Sequence, residues 1–148
     1  MLLKTKIIAT NRTVEHKVQQ AVLPTLSGEI GILPNHIPIL TGLETGVVRL
    51  KIDGRWLPII IVDGIAKVNN NELVLIVRIL EEIQDLGGIT LDQAKQALNE
   101  ATEACTKATN PKDRLLATIN FRRTLARYQA LAFSANSNPF AKRIFLNS

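Results

Sequence analysis

The sequence predicts a mainly β protein of the α+β class, in which a β domain is followed by an antiparallel pair of helices. Up to Leu80, apolar residues alternate with polar ones at a period of two, which is typical of half-buried strands. After Gly87-Gly88, apolar residues recur every three or four positions, which is typical of amphipathic helices. Many short strands separated by turn residues favour a sandwich or a flattened barrel for the first part.

Turn residues delimit the strands of the β part. Asp53-Gly54 predicts a hairpin between the runs 48–52 and 55–62, and the asparagines at 69–71 predict a second turn. Pro58 cannot donate to a ladder, so its strand is expected at an edge or with a bulge there. The other predicted strands are 2–9, 14–23, 65–68 and 73–80, with Asp63-Gly64 as a break before residue 65.

Residues 28–42, with the sequence GEIGILPNHIPILTG, fit neither period. Glycines and prolines alternate with large aliphatic side chains, and no helix would tolerate their spacing. We expect this segment to form a shaped surface for contact with another molecule.

Two helices are expected after the glycine pair. Thr90 and Gln93 have the spacing of a capping box, and Asn110-Pro111 ends the first helix because proline lacks the backbone donor. The second helix is predicted over about 112–133, with larger side chains at Leu115, Leu116, Ile119, Phe121, Leu125, Tyr128 and Leu131. Ser134 to Pro139 is turn-like. The predicted domains are 1–86, 87–133 and an extension, 134–148, that is expected to be poorly ordered.

The first helix presents a narrow apolar seam of mostly small side chains, namely Ala94, Leu98, Ala101, Cys105 and Ala108. At roughly 25 cal/mol per Å² of buried apolar area, an alanine face stabilises a contact less than a leucine face would. The hairpin is therefore expected to adhere weakly, so that the binding energy of a partner decides its conformation. The alternative is that alanine only raises helix propensity and lets the two helices approach closely.

Composition limits the class of protein. A chain of 148 residues can bury one core plus a small appendage, and its longest apolar runs are too short to span a bilayer. Its first six residues resemble neither a secretory signal nor a transit peptide, so we expect a chain that works where it is made or is already trimmed. The single cysteine excludes an internal disulfide and fits a reducing compartment.

The net charge of +5 lies in the helical part. Residues 1–88 carry nine Lys or Arg and nine Asp or Glu, whereas residues 89–148 carry nine Lys or Arg and four Asp or Glu. No acidic side chain follows Asp113. The two parts are therefore expected to face different partners.

Residues with catalytic or metal-binding chemistry are scarce. His16 and His36 have no second ligand at metal spacing and no nucleophile nearby in the sequence, and no glycine loop has a phosphate-binding pattern. Glu81, Glu82 and Asp85 are more typical of a solvated strand exit than of a catalytic pair. No catalytic residue, metal site, cofactor or small-molecule substrate is expected.

Arg122, Arg123 and Arg127 form a basic cluster on the second helix. Clustered arginines also suit phosphates, so a nucleic-acid-binding β barrel with a basic helical tail is an alternative. However, residues 1–88 contain one aromatic residue, Trp56, whereas barrels that bind single strands need several stacking platforms. An acidic protein surface therefore suits the cluster better, and a merely solvated cationic face is the remaining possibility.

An ordered series of motifs resembles a known family. The segment GEIGILPNHIPILTGLETGVVRL is followed by a hairpin, the strand pair DGIAKVNNNEL and an alanine-rich helical hairpin that ends in FRRTLARYQAL. Together these resemble the epsilon subunits of F-type ATP synthases, over residues 1 to about 133. NRTV at 11–14 and GRWLP at 54–58 are similar to the plastid and cyanobacterial branch.

The resemblance implies a ten-stranded sandwich and a two-helix domain in a non-catalytic rotor subunit. Its implied partners are the gamma subunit, the c-ring and, transiently, the alpha and beta subunits. Glu29 and His36 would contact the c-ring. Arg122, Arg123 and Arg127 would meet an acidic loop of a beta subunit when the helices extend and oppose ATP hydrolysis.

The resemblance also implies a location and the lack of a nucleotide site. It places the chain on the stromal side of the chloroplast thylakoid membrane, with the cytoplasmic side of a bacterial membrane as the alternative. Some bacterial members bind ATP through an Ile-Asp-x-x-Arg-Ala motif. The aligned residues 89–94 are ITLDQA, which lack that aspartate and arginine, so we expect no tight nucleotide binding.

Overall fold

The computed structural model describes residues 1–137. Eight strands are followed by one 3₁₀ turn and two helices. In chain order they are β1 Leu3–Ile8, β2 Thr13–Val18, β3 Gln20–Thr25, β4 Gly28–Ile32, β5 Ile39–Leu43, β6 Gly46–Ile52, β7 Arg55–Asn69, β8 Glu72–Glu82, the turn Ile83–Leu86, α1 Leu91–Lys107 and α2 Pro111–Ser137. The predicted class, a β sandwich followed by a helical hairpin, is confirmed.

The strands form one sheet that folds over on itself around a core. Neighbours run in the order β2-β1-β8-β7-β5-β3-β4, and β6 pairs with both β3 and β7. β1 and β8 are parallel, and the other pairs are antiparallel. Alternate side chains of each strand point inward. Those that fill the core are mainly large aliphatics, including Leu3, Ile7, Leu23, Leu50, Ile59, Ile61 and Leu75.

The implied count of ten strands is wrong, because residues 1–137 form eight. Asp63-Gly64 does not break the chain into two strands, since β7 continues through it and exchanges β6 for β5 as its neighbour. Gly64 is needed there for close approach, because a Cβ at this position would lie 2.1 Å from the carbonyl oxygen of Ile76. Conversely, the single strand predicted over 14–23 is two strands, which meet at Gln19 and pair with different neighbours.

Pro58, which has no backbone N–H to donate, lies at a position of β7 that has a neighbouring strand on one side only. It faces Arg49 of β6, while β8 pairs with the other side of β7 only from Ile59 onward. β7 is therefore not an edge strand, but its segment at Pro58 has a neighbour on the β6 side alone, so the expectation is correct for that segment only.

The helical hairpin packs on the outside of the sandwich through α2. Thr90 and Gln93 form the predicted capping box at the start of α1, and Ala94 and Ala101 are buried on its seam. On α2, Ala126 and Ala130 pack against Ile60 of β7. We call these three residues the docking contact, and Val47, Ile83 and Leu86 border it.

Leu115, Leu116 and Ile119, three of the larger side chains predicted on α2, are exposed. One expectation for α2 is wrong: the helix continues to Ser137, so residues 134–137 are helical rather than turn-like. The rest of the predicted extension, residues 138–148, lies outside the described residues, and the division into domains stays a prediction.

Candidate functional site

The segment 28–42, which we call the rim, forms β4, a turn and the start of β5. The backbone N–H of His36 donates to the carbonyl of Leu33, and the backbone N–H of Asn35 donates to the Asn71 side chain at 2.8 Å. Asn71 also donates to the carbonyl of Leu2. The rim is thereby braced against the β7–β8 turn. Sequence reasoning treated Asn71 only as a turn residue, and no local signal pointed to this role.

Large apolar side chains project from the rim into solvent. Leu33, Ile37 and Leu40 are 56%, 71% and 71% exposed. Exposed aliphatics concentrated on a braced loop are typical of a protein contact surface. This geometry fits the expectation of a shaped contact surface and shows that the surface is largely apolar.

Glu29 and His36, the two polar residues predicted on the rim, lie in different surroundings. Glu29 is the second residue of β4, and its carboxylate accepts a hydrogen bond from Arg49 of β6. His36 follows β4 in the turn, where its Nδ1 lies 2.7 Å from the carbonyl oxygen of Ile37. The structure therefore does not bring the two side chains into contact. Their role at a c-ring stays a prediction.

Arg49 connects Glu29 to the end of α2. Its guanidinium lies 5.1 Å from the centroid of the Phe133 ring, which also meets Trp56 edge-on at 6.3 Å. Cation–π and edge-to-face contacts of this kind are attractive. The last described turns of α2 are thus anchored over β6 and β7 by aromatic contacts that the sequence did not indicate.

Arg123 and Arg127 converge on one carboxylate of the sandwich. Arg127 donates to Glu81 through Nε at 2.9 Å and Nη2 at 2.7 Å, and Arg123 donates through Nε at 3.0 Å and also through Nη2. The Glu81 side chain is 11% exposed, whereas each arginine side chain is 35% exposed. We call these three residues the Glu81 cluster.

The Glu81 cluster keeps its carboxylate ionised. Hydrogen bonds from Arg127 and then from Arg123 hold the pKa of Glu81 below its usual range, although burial opposes this shift. The same contact raises the pKa of Arg127. Charge-assisted bonds to arginine are stronger than neutral ones, so a carboxylate with four such bonds is a strong local anchor.

Arg122, the third predicted member of the basic cluster, lies apart from Glu81. It borders a cleft of about 410 Å³ between α2 and the sandwich, opposite the ion pair of Arg78 with Asp63. Within residues 1–137 it forms no ion pair. The structure therefore joins two of the three predicted arginines and separates the third.

The expectation of a solvated strand exit is correct for Asp85, which is exposed just after the end of β8, but wrong for Glu81, which is buried. Arg12, in the turn after β1, pairs with Glu82 at 3.1 Å and with Asp85 at 2.8 Å. Arg12 also lowers the pKa of Asp85. The local sequence shows three adjacent acids, but their partners lie about 40 and 70 residues away in the chain.

The described residues offer little for catalysis or membrane insertion. No group of three or more His, Cys, Asp or Glu within residues 1–137 could hold a metal ion. Cys105 is half-buried on α1. Neither α1 nor the described part of α2 is long and apolar enough to cross a membrane.

The chain combines a sandwich that carries a braced, apolar rim with a helical hairpin that docks on the sandwich through arginines. These features are typical of a subunit that binds other proteins. The family model of the ATP synthase delta/epsilon chain, β-sandwich domain, matches residues 2–83. The chain is 39% identical to the chloroplastic ATP synthase epsilon chain of Gracilaria tenuistipitata, over 92% of this chain and the whole of that protein. It is also 39% identical to the ATP synthase epsilon chain of Gloeobacter violaceus, over 88% of this chain and 97% of that one.

Solved structures show the same fold. A chain of the Euglena gracilis mitochondrial ATP synthase, in a structure of OSCP, F1 and c-ring, has a TM-score of 0.74 at 18% identity, over 88% of this chain and 81% of that one. A chain in the central stalk and c-ring of the Tetrahymena thermophila mitochondrial ATP synthase has a TM-score of 0.57 at 10% identity, over 86% and 95%.

This chain belongs to the ATP synthase delta/epsilon family, as an epsilon chain of the plastid and cyanobacterial type. The predicted identity, a non-catalytic central-stalk subunit of an F-type ATP synthase, is confirmed. The family assignment decides against the nucleic-acid-binding alternative.

Proposed function

We propose that this subunit couples gamma to the c-ring in the rotor and that its hairpin opposes ATP hydrolysis when it leaves the sandwich. One observation carries the proposal. α2 is held by a docking contact of one isoleucine and two alanines together with the Glu81 cluster, so the arginines that fix it become available once it leaves.

The rim supports the contact with the c-ring. Its exposed aliphatics offer apolar area, and its bracing by Asn71 limits the entropy lost on docking. Glu29, near the start of the rim, and His36, in its central turn, would supply the polar contacts. Ile37→Asp is expected to abolish copurification of this subunit with the c-ring. The matched control is Leu116→Asp on α2, which is exposed to a similar degree. Equal retention of the c-ring by both variants would contradict this contact.

A second apolar surface supports the contact with gamma. Strand register places Ile8 beside Ile76 and Ile76 beside Ile65, and Gly42, which faces Ile65, leaves room for the side chain of Leu26. We call Ile8, Ile76, Ile65 and Leu26 the apolar row. The row crosses β1, β8, β7 and β5. α2 does not cover this face, because it packs on β6 and the first half of β7.

Charge on the apolar row tests the gamma contact. Ile76→Lys is expected to weaken binding of purified gamma by at least roughly tenfold, because a lysine cannot be buried there without a partner. Val74→Lys, one step along the outer face of the same strand, is the control. Full gamma binding by the Ile76 variant would remove this row from the interface.

The regulatory role is tested in the assembled enzyme. Replacing Arg122, Arg123 and Arg127 with alanine is expected to raise ATP hydrolysis, because the freed hairpin can no longer bind an acidic surface. The control replaces Lys95, Lys107 and Lys112 with alanine, which removes the same charge from exposed hairpin positions. Unchanged hydrolysis in the arginine variant would exclude these residues from the mechanism.

We also propose that the chain works on the stromal side of the thylakoid membrane; the cytoplasmic side of a bacterial membrane is the alternative. The chloroplastic and cyanobacterial relatives support a plastid or bacterial ATP synthase. Digestion of the chain by protease added to intact thylakoids would place it on the stromal side. Protection until detergent is added would contradict that placement.

A further inference from the structure

The Glu81 cluster has the form of an occupied binding site. Arg123 and Arg127 lie one helical turn apart on α2, so their guanidinium groups reach the same point. Both donate to the carboxylate of Glu81, and neither has another carboxylate partner among residues 1–137. The pair thus recognises a carboxylate, and in the docked hairpin that carboxylate belongs to the chain itself.

The charges of the cluster are unequal. Two guanidinium groups share one carboxylate, which leaves one positive charge at the contact. A ligand with two or more adjacent carboxylates would match the pair better than Glu81 does. The arginine side chains remain about one-third exposed, so such a ligand can approach them before the hairpin has left.

Apart from the Glu81 cluster, α2 is held by the docking contact and by the contacts of Phe133 with Trp56 and Arg49. Ile60, Ala126 and Ala130 form the buried part of the docking contact, and alanine side chains bury little apolar area. Beneath this part of α2, the ionic contact with Glu81 is the component that an external anion can replace. Loss of that component leaves the docking contact and the aromatic contacts of Phe133 to hold α2.

We propose that Glu81 is an internal competitor that occupies the carboxylate site of Arg123 and Arg127, and that a carboxylate-rich protein segment displaces it and releases α2 from the sandwich. Docking of the hairpin and binding of an acidic segment are then mutually exclusive. This inference rests on the proposed function in one respect, namely that an acidic partner exists. The competition itself is a property of the isolated chain.

The single tryptophan provides the measurement. Trp56 lies against Phe133 of α2, so release of α2 changes its surroundings and its fluorescence. Full-length chain is titrated with hexaglutamate at constant ionic strength, and with hexaglutamine as the uncharged control. Hexaglutamate is expected to shift the Trp56 emission to longer wavelength, and hexaglutamine is not.

Two charge-matched variants separate competition from bulk electrostatics. Glu81→Gln removes the competitor and is expected to tighten hexaglutamate binding by roughly tenfold, the factor that about 1.4 kcal/mol represents. Glu82→Gln removes the same charge one residue away, from a carboxylate held by Arg12, and is expected to change the affinity by less than about twofold. Equal tightening in both variants, or none in either, would overturn the proposal.

Arginine variants test the site without disturbing the sandwich. Arg127→Gln is expected to lose most hexaglutamate binding with unchanged far-ultraviolet circular dichroism, whereas Lys112→Gln keeps it. Retained binding by the Arg127 variant would place the ligand elsewhere and refute the site. Competition in the isolated chain together with unchanged hydrolysis in the enzyme would refute the regulatory role and leave this inference standing.

Discussion

The interior of the sandwich and the surface beneath α2 are both buried, but their side chains differ in kind. The interior is filled by leucine, isoleucine and valine from opposing strands. The surface beneath α2 pairs one isoleucine with two alanines and surrounds them with arginine, glutamate and two aromatic rings. A core of large aliphatics resists opening, whereas small side chains and ion pairs allow two elements to separate without loss of either fold.

Truncation in the interior gives the largest expected effect. Leu50→Ala is expected to lower the free energy of unfolding by about 2–5 kcal/mol, because it deletes a fully buried side chain and leaves a cavity. Urea denaturation followed by circular dichroism measures this change. Leu116→Ala on the exposed face of α2 is the control and is expected to change stability by less than about 0.5 kcal/mol. Similar losses in both variants would contradict the contrast between the two regions.

A charge in the docking contact is expected to separate the helices from the sandwich. Ala130→Glu places an unpaired carboxylate at a fully buried position, which costs a few kcal/mol. Trp56 fluorescence is expected to report release of α2 while the urea midpoint of the sandwich changes little. Ala104→Glu, at an exposed position of α1, is the control. Unfolding of the whole molecule by the Ala130 variant would show that hairpin and sandwich form one cooperative unit.

Acid is expected to release the hairpin before it opens the sandwich. The pKa of Glu81 is lowered by Arg127 and Arg123, so its contribution is complete above the ordinary glutamate value of about 4.3 and is lost as the pH falls through the lowered pKa. Trp56 fluorescence should therefore be constant from neutral pH to about pH 5 and change below pH 4. Asp85, whose pKa is lowered by Arg12, loses its contribution in the same direction. Persistence of this transition in Glu81→Gln would exclude Glu81 as its source.

An exposed ion pair gives the smallest expected effect. Lys4 and Glu72 lie 3.6 Å apart across β1 and β8, and more than half of each side chain is exposed. Lys4→Ala is expected to cost less than about 1 kcal/mol, because solvent screens such pairs. Thermal unfolding measures this loss. If Lys4→Ala lowered stability as much as breaking the Glu81 cluster does, burial would not be what distinguishes the two ionic contacts.

Patterns local in the sequence predicted most of the fold. The hairpin at Asp53-Gly54, the capping box at Thr90 and the end of α1 before Pro111 each depend on residues within a few positions. The errors have non-local causes. Gly64 serves the approach of β8 rather than a turn. Ser134 continues α2 because the preceding Phe133 is anchored on Trp56 and Arg49, and tertiary contacts outweigh weak local preferences.

The candidate site likewise has a part that could be predicted from local sequence and a part that could not. The spacing of Arg123 and Arg127 indicated that they would act together on a carboxylate, because residues four apart share one face of a helix. The identity of that carboxylate could not be predicted, since Glu81 lies 42 and 46 residues away. Arg12 and Asn71 illustrate the same limit, because their partners come from distant parts of the chain.

β7 runs beneath two of the proposed contact surfaces without interruption. One end pairs with Ile39 and Leu40 of the rim, and Ile60 near the other end supports α2. At about 3.3 Å per residue, its 15 residues extend across roughly 50 Å. Between these two contacts β8 pairs with one edge of β7, while β6 and then β5 flank its other edge. If the rim meets the c-ring as proposed, mechanical load applied there would be transmitted along β7 to the residues that support α2.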